Sequence, residues 1–171
     1  MRWTHFPLHP ETPDEGQTLE ALFQDRAVNI AEVQQRLAEM METEGLPYGS
    51  RTHTYNSRLA QELGKWAETQ PGGEAIHKAL FQAYFVGGKN VGNVTVLLDV
   101  VRELGLDEAA ATEVLHGRTF SDAIDEDWQR AVGMGVTSVP TFLAGGYGVV
   151  GAQPMEALIS FLQQVGATLR A

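Results

Sequence analysis

Apolar residues recur along this chain at two spacings. Through the middle the spacing is three to four residues. Ile30, Val33, Leu37, Met40 and Met41 form one stripe, and Leu59, Leu63, Trp66 and Ala67 a second. Ile76, Leu80, Ala83 and Tyr84 form a third, and Val94, Leu97, Leu98 and Val101 a fourth. A period near 3.6 marks amphipathic helices with one face turned inward. Polar residues punctuate the stripes. Asn29, Asn56 or Ser57, Asn93, Asp107 and Ser121 stand where an N-cap is wanted. Gly45 with Pro47, Pro71 with Gly72 and Gly73, and Gly105 stand where a helix must stop. The pattern predicts helices over 30–41, 57–67, 76–86, 94–104, 107–115 and 122–134, with a turn or two of helix at 19–24. Ile124, Trp128 and Ala131 share the inward face of the last of these. The pair Met40–Met41 reads as core filler, because methionine fits irregular gaps.

At the two ends of the chain the spacing shortens to two. Residues 3–8 alternate loosely, Trp-Thr-His-Phe, before Pro7, Pro10 and Pro13, which predicts a short strand running into an extended loop. Residues 137–144 are β-branched and aromatic. Gly145-Gly146 is a two-residue hairpin signal, and residues 147–150 are the returning strand. Gly151 breaks the strand. Pro154 suits the first turn of a helix over 155–169. Pro140 has no N–H for a sheet ladder, so it belongs at the strand's entrance or edge. X-Pro is also the common route to a cis peptide, and Val139-Pro140 is expected to be cis.

The run 135–154, G-V-T-S-V-P-T-F-L followed by a Tyr-Gly-Val strand and G-A-Q-P, resembles the DsbA family of thioredoxin-fold proteins. Within it the run looks most like the FrnE branch, related to the 2-hydroxychromene-2-carboxylate isomerases and kappa glutathione transferases. Trp3, Phe6, Leu8, Pro10, Glu11, Pro13, Glu15 and Gly16 resemble the segment after the second thioredoxin-fold strand in that branch. Asn56-Ser57 before an Ala-rich helix, and Ala83 to Phe85 before a glycine turn, resemble its helical insert. The resemblance implies an α/β fold: a thioredoxin-like core at 1–13 and 119–171, with an all-helical insertion at 14–118. It also implies that the first βα unit of the core is absent, since Met1 directly precedes the first strand. Whether that unit is lost by truncation, by a mis-called start or by a true deletion stays open at this point.

Composition changes the functional picture in one respect. These 171 residues contain no cysteine. A disulfide, a thiolate nucleophile and a thiolate metal site are therefore excluded within them. In the DsbA and FrnE proteins the first βα unit carries Cys-x-x-Cys, and in the isomerase branch a serine. No residue here matches either, so no catalytic residue is assigned. The five histidines, His5, His9, His53, His77 and His116, form no ligand spacing, and no metal is expected. A net charge of −10 disfavours nucleic acid and anionic membranes as partners. The apolar runs are too short to span a bilayer, and a cytoplasmic location is expected.

What the resemblance leaves is a binding edge. Ser138, Val139, Pro140 and Thr141 would offer backbone to an extended peptide or to the cysteinyl part of glutathione. Gln153, in the turn with Gly151 and Ala152 before the last helix, would meet a γ-glutamyl carboxylate, or would simply cap the helix. The expected function is that of a DsbA/FrnE-like member of the protein-disulfide oxidoreductase family, inactive in this cysteine-free form. The alternatives are a glutathione-dependent isomerase or transferase and a non-catalytic peptide-binding module. No cofactor is expected other than glutathione. A sheet missing its central strand would expose unpaired backbone, which costs roughly 1–3 kcal/mol per buried group, so a homo-oligomer is expected.

Overall fold

The computed structural model describes residues 2–167. The elements in order are β1 (Gln17–Thr18), α1 (Leu19–Leu22), α2 (Ile30–Thr43), β2 (His53–Thr54), α3 (Arg58–Ala67) and α4 (Ile76–Phe81). They continue with α5 (Val94–Glu103), α6 (Glu108–Gly117), α7 (Ser121–Gly133), β3 (Thr141–Ala144), β4 (Tyr147–Val150) and α8 (Met155–Gln164). The chain divides into two compact units. One is His9–Asp125; the other joins the described residues of Met1–Leu8 and Glu126–Ala171.

The unit His9–Asp125 is helical, and its core follows the predicted stripes. Leu63, Ile76, Leu97, Val101 and Ala111 are fully buried, with Ala60, Trp66, Ala67, Val100 and Leu115 around them. Each buried side chain of leucine size contributes roughly 1.5–3 kcal/mol. The caps form locally. Asn29 accepts from the Glu32 N–H at 3.3 Å, Asp107 from Ala110 at 3.0 Å, and Asn93 from Thr95 and Val96 at 2.9 and 3.3 Å. Before α3 the cap is Asn56, whose Oδ1 accepts from Arg58 N–H at 3.0 Å; Ser57 makes no side-chain cap bond. The chain turns from α3 toward α4 at Gly73, where a Cβ would lie 1.7 Å from the Ala67 carbonyl oxygen. Only glycine fits there. The helix predicted over 76–86 changes winding at its end: α4 continues as one π turn, Gln82–Val86.

Two expectations are corrected in this description, and one pairing is added that the sequence did not suggest. The stripe of α2 is not core, for no residue of α2 is buried, and Val33 and Met40 are 47% and 43% exposed. Periodicity shows that a helix has an apolar face, not that something covers it. A two-residue antiparallel pair, Gln17↔Thr54 and Thr18↔His53, joins segments that no local pattern links. Residues 3–8 form no strand. The Leu8 N–H bonds to Phe6 O at 2.9 Å, and Pro7 has no N–H. The His5 N–H is taken by the carboxylate of Asp127 at 3.2 Å. Alternation alone supplies no hydrogen-bonding neighbour, and a strand exists only with one.

In the second unit, β3 and β4 form a hairpin with Thr141 opposite Val150, Phe142 opposite Val149, Leu143 opposite Gly148 and Ala144 opposite Tyr147. The strand begins at Thr141 rather than at 137, after the N–H-less Pro140. Gly145 and Gly146 both have positive φ, +58° and +82°, as the tight primed turn of a hairpin demands. Pro154 is the residue before α8 rather than its first, and Gly166 at φ +80° follows the helix end. Residue 169, where the predicted helix ended, lies outside the described residues.

Candidate functional site

The hairpin brings the predicted site residues to one end of β3. The Val139–Pro140 peptide is cis. The Pro140 carbonyl accepts from the Gly151 N–H at 2.8 Å, which carries the β3–β4 ladder one step past the strand. Thr141 Oγ1 donates to Ser138 O at 2.7 Å and folds the approach into a tight loop. Gln153 Nε2 donates to Val150 O at 2.9 Å, so its amide ties the start of α8 to the end of β4. Ser138, Val139, Pro140, Thr141 and Gln153 are thus brought together.

The hydrogen-bond alternation of an antiparallel pair then assigns each backbone group a direction. A two-residue turn makes Ala144 and Tyr147 a bonded pair, so Phe142 bonds with Val149 and Pro140 O with Gly151. The N–H and C=O groups of Thr141 and Leu143 point the other way, away from β4. Val139 precedes the cis peptide, and its own N–H and C=O make no hydrogen bond among the described residues. Its side chain is 46% exposed. Thr141 and Leu143 therefore present donors and acceptors along one open edge, with the unbonded Val139 backbone just before it, the arrangement that accepts an added strand. Among the described residues no group of three or more acidic or histidine side chains could hold a metal ion.

Two buried carboxylates went unmarked in the reading of the stripes. Glu62 is fully buried on α3. Its Oε1 accepts from Arg58 Nε at 2.8 Å and Arg118 Nη2 at 2.7 Å, and its Oε2 from Arg118 Nε at 2.8 Å. Arg58 also reaches Asp125 at 2.7 Å and the Ser121 carbonyl at 2.9 Å. Burial pushes the Glu62 carboxyl up, but the bonds from Arg118 and Arg58 outweigh it and hold it below its ordinary value. The second is Asp127, 1% exposed on α7, which accepts from His5 N–H and from Arg2 at 3.4 Å. The signal was present in both: each acid sits inside an apolar stripe, Glu62 between Leu59 and Trp66, Asp127 between Ile124 and Ala131. Both carboxylates are consumed by structural bonds, so neither is a candidate for proton transfer.

Comparison with known proteins places this geometry. A stretch of 104 residues is 32% identical to the uncharacterised protein YwbO of Bacillus subtilis (strain 168), taking in 58% of this chain and 50% of that protein. The chain thus matches only half the length of this curated relative. Among solved structures, a probable DsbA oxidoreductase from Streptomyces coelicolor superposes with a TM-score of 0.83 at 25% identity, over 95% of this chain and 74% of that one. A 2-hydroxychromene-2-carboxylate isomerase superposes with a TM-score of 0.70 at 20% identity, over 80% of this chain and 66% of that one, and shares the fold. The same fold, a thioredoxin core with a helical insertion, is what the hairpin, the closing helix and the helical unit describe. The family model for the DSBA-like thioredoxin domain matches residues 1–163, nearly the whole sequence, and the chain belongs to that family.

Proposed function

We propose that this chain is a binding member of the DsbA-like family, grasping an extended polypeptide along the outer edge of β3. It performs no thiol–disulfide exchange with its own side chains, because these residues hold no sulfur nucleophile. The observation that carries the reading is the outer side of β3, unpaired at Thr141 and Leu143, with the unbonded Val139 backbone just before it. Main-chain hydrogen bonds give such an edge its affinity, and the exposed Val139 and Leu143 side chains favour an apolar strand. Without a peptide, a second copy of the chain serves the same edge, which makes the protein a homo-oligomer. A cytoplasmic setting agrees with a thiol-free chain in which no described helix is long and apolar enough to cross a membrane.

The peptide reading is favoured over glutathione by Gln153. One N–H of its side-chain amide is engaged by Val150 O, which holds the amide against β4, and Ala152 beside it carries no polar group to add. Calorimetry with an apolar strand peptide, with the same peptide N-methylated at alternate residues, and with glutathione tests this. The unmodified peptide binds, and the N-methylated form loses at least about tenfold, as expected when two or three hydrogen bonds are removed. Equal binding of both peptides would overturn the reading. Insulin reduction by the purified chain stays at the buffer blank.

A further inference from the structure

The two faces of the β3–β4 hairpin differ. Residues directly opposite each other on an antiparallel pair share a face. Thr141, Leu143, Gly148 and Val150 therefore lie on one face, and Phe142, Ala144, Tyr147 and Val149 on the other. On the second face Phe142 and Val149, opposite each other, are half-buried. On the first face Leu143 and Val150 are 45% and 57% exposed. Neither strand carries a charged residue. An exposed apolar face beside an unpaired strand edge gains cover when a strand is added there.

Gly148 shapes the first face. It sits in β4 and is not at positive φ, so the backbone there does not require a glycine. What its missing side chain provides is space. A Cβ at Gly148 would lie 2.8 Å from Leu143 Cδ2. The Leu143 side chain thus lies across the ladder onto the Gly148 backbone, leaning toward β4 and away from the open edge. Thr141 is its neighbour on the same face, and the Thr141 hydroxyl donates to Ser138 O at 2.7 Å, so its proton is already engaged. Val150 stands directly opposite Thr141. Leu143, Thr141 and Val150 together make a shallow apolar seat that is low on its outer side. Paired strands lie about 4.8 Å apart. From an added strand, an alanine methyl stops short of this seat, and a side chain of leucine length extends over Thr141 toward Val150.

We propose that the β3 edge selects its polypeptide through one side chain, a leucine-sized apolar residue that lies over Thr141 against Leu143 and Val150. Gly148 is a positioning residue for this preference, because it holds Leu143 back from the edge. The inference rests on the peptide reading and adds to it the residues that discriminate between peptides.

Calorimetry on the full chain with a pair of short peptides tests it. Both are threonine throughout with a lysine at each end, and they differ only at the centre, leucine in one and alanine in the other. The leucine peptide binds at least about tenfold more tightly, as expected when an isobutyl group in place of a methyl gains apolar cover. Gly148→Ala places a methyl where Leu143 now lies, drives Leu143 toward the open edge and fills the seat. The leucine-to-alanine preference then falls by at least about threefold. A change that merely weakened the strand would lower both affinities and leave their ratio alone. Should Gly148→Ala fail to fold, Val150→Thr, nearly the same shape at an exposed position, lowers the ratio in its place. Equal binding of the two peptides by the unaltered chain overturns this inference and leaves the edge reading standing. So does a ratio unchanged in the variant. Failure of either peptide to bind overturns both.

Discussion

Glu62 is a buried charge on which two arginines of the helical unit converge. Its carboxylate answers three guanidinium N–H groups from two arginines, inside a helix face that is otherwise Leu59, Leu63 and Trp66. Removing one partner of a buried pair leaves the other charge uncompensated, at about 3–5 kcal/mol. Glu62→Ala should therefore lower unfolding stability by about that amount, measured in urea. The folded carboxyl titrates below its ordinary 4.5. The native state thus releases this proton more readily than the unfolded chain does. The stabilisation is complete above the unfolded value and is lost as the pH falls through the lower folded one. Wild type should lose more stability than Glu62→Gln between about pH 7 and about pH 3. Equal losses would assign the acid sensitivity to other groups. The sequence held the clue as an anomaly, an acid on an apolar stripe four residues after Arg58. It held no sign of Arg118, which reaches Glu62 across 56 positions.

At the scale of elements, what was legible was local. Asn29, Asn93 and Asp107 cap the helices they precede because a cap involves only the next three residues. The Gly-Gly hairpin was legible for the same reason. Its two glycines are not equivalent, and that gives a test. A Cβ on Gly145 would lie 2.9 Å from Val165 Cβ, while one on Gly146 meets nothing within 4 Å. Both sit at positive φ, where a side chain costs roughly 1–2 kcal/mol. Gly146→Ala should cost about that much in thermal unfolding, and Gly145→Ala clearly more. What was illegible required a partner. Residues 3–8 alternate as a strand does, yet the His5 N–H goes to Asp127 and the Leu8 N–H to Phe6 O. The α2 stripe looks like any core face, yet its residues are at most half-buried. Few buried contacts mean early local opening. Hydrogen exchange should find the α2 amides exchanging well before those of α5, which carries the buried Leu97, Val100 and Val101.

At the scale of the whole molecule, the buried apolar residues are unevenly shared. The contiguous core runs from Ala60 to Leu115 and lies wholly within the unit His9–Asp125. In the other unit, Ala131 and Phe161 are the buried apolar side chains among the described residues. The same unit leaves Val139, Leu143, Tyr147, Val150, Met155 and Leu162 at least 44% exposed. A domain of about a hundred residues with a closed core folds alone, and a short segment with two buried apolar side chains does not. A chain limited to residues 9–125 should therefore keep its helical circular dichroism and melt in one cooperative transition. A chain limited to residues 126–171 should show neither a cooperative melt nor dispersed amide signals. The asymmetry has a functional side. An apolar surface of that extent, beside a strand with one edge unpaired, is stabilised by whatever adds to it. A peptide bound along the β3 edge, as proposed, should then raise the melting temperature of the intact chain by mass action on the native state. It should leave the melt of the 9–125 fragment where it was. A shift in the fragment of equal size would place the peptide on the helical unit and remove the β3 edge from the account.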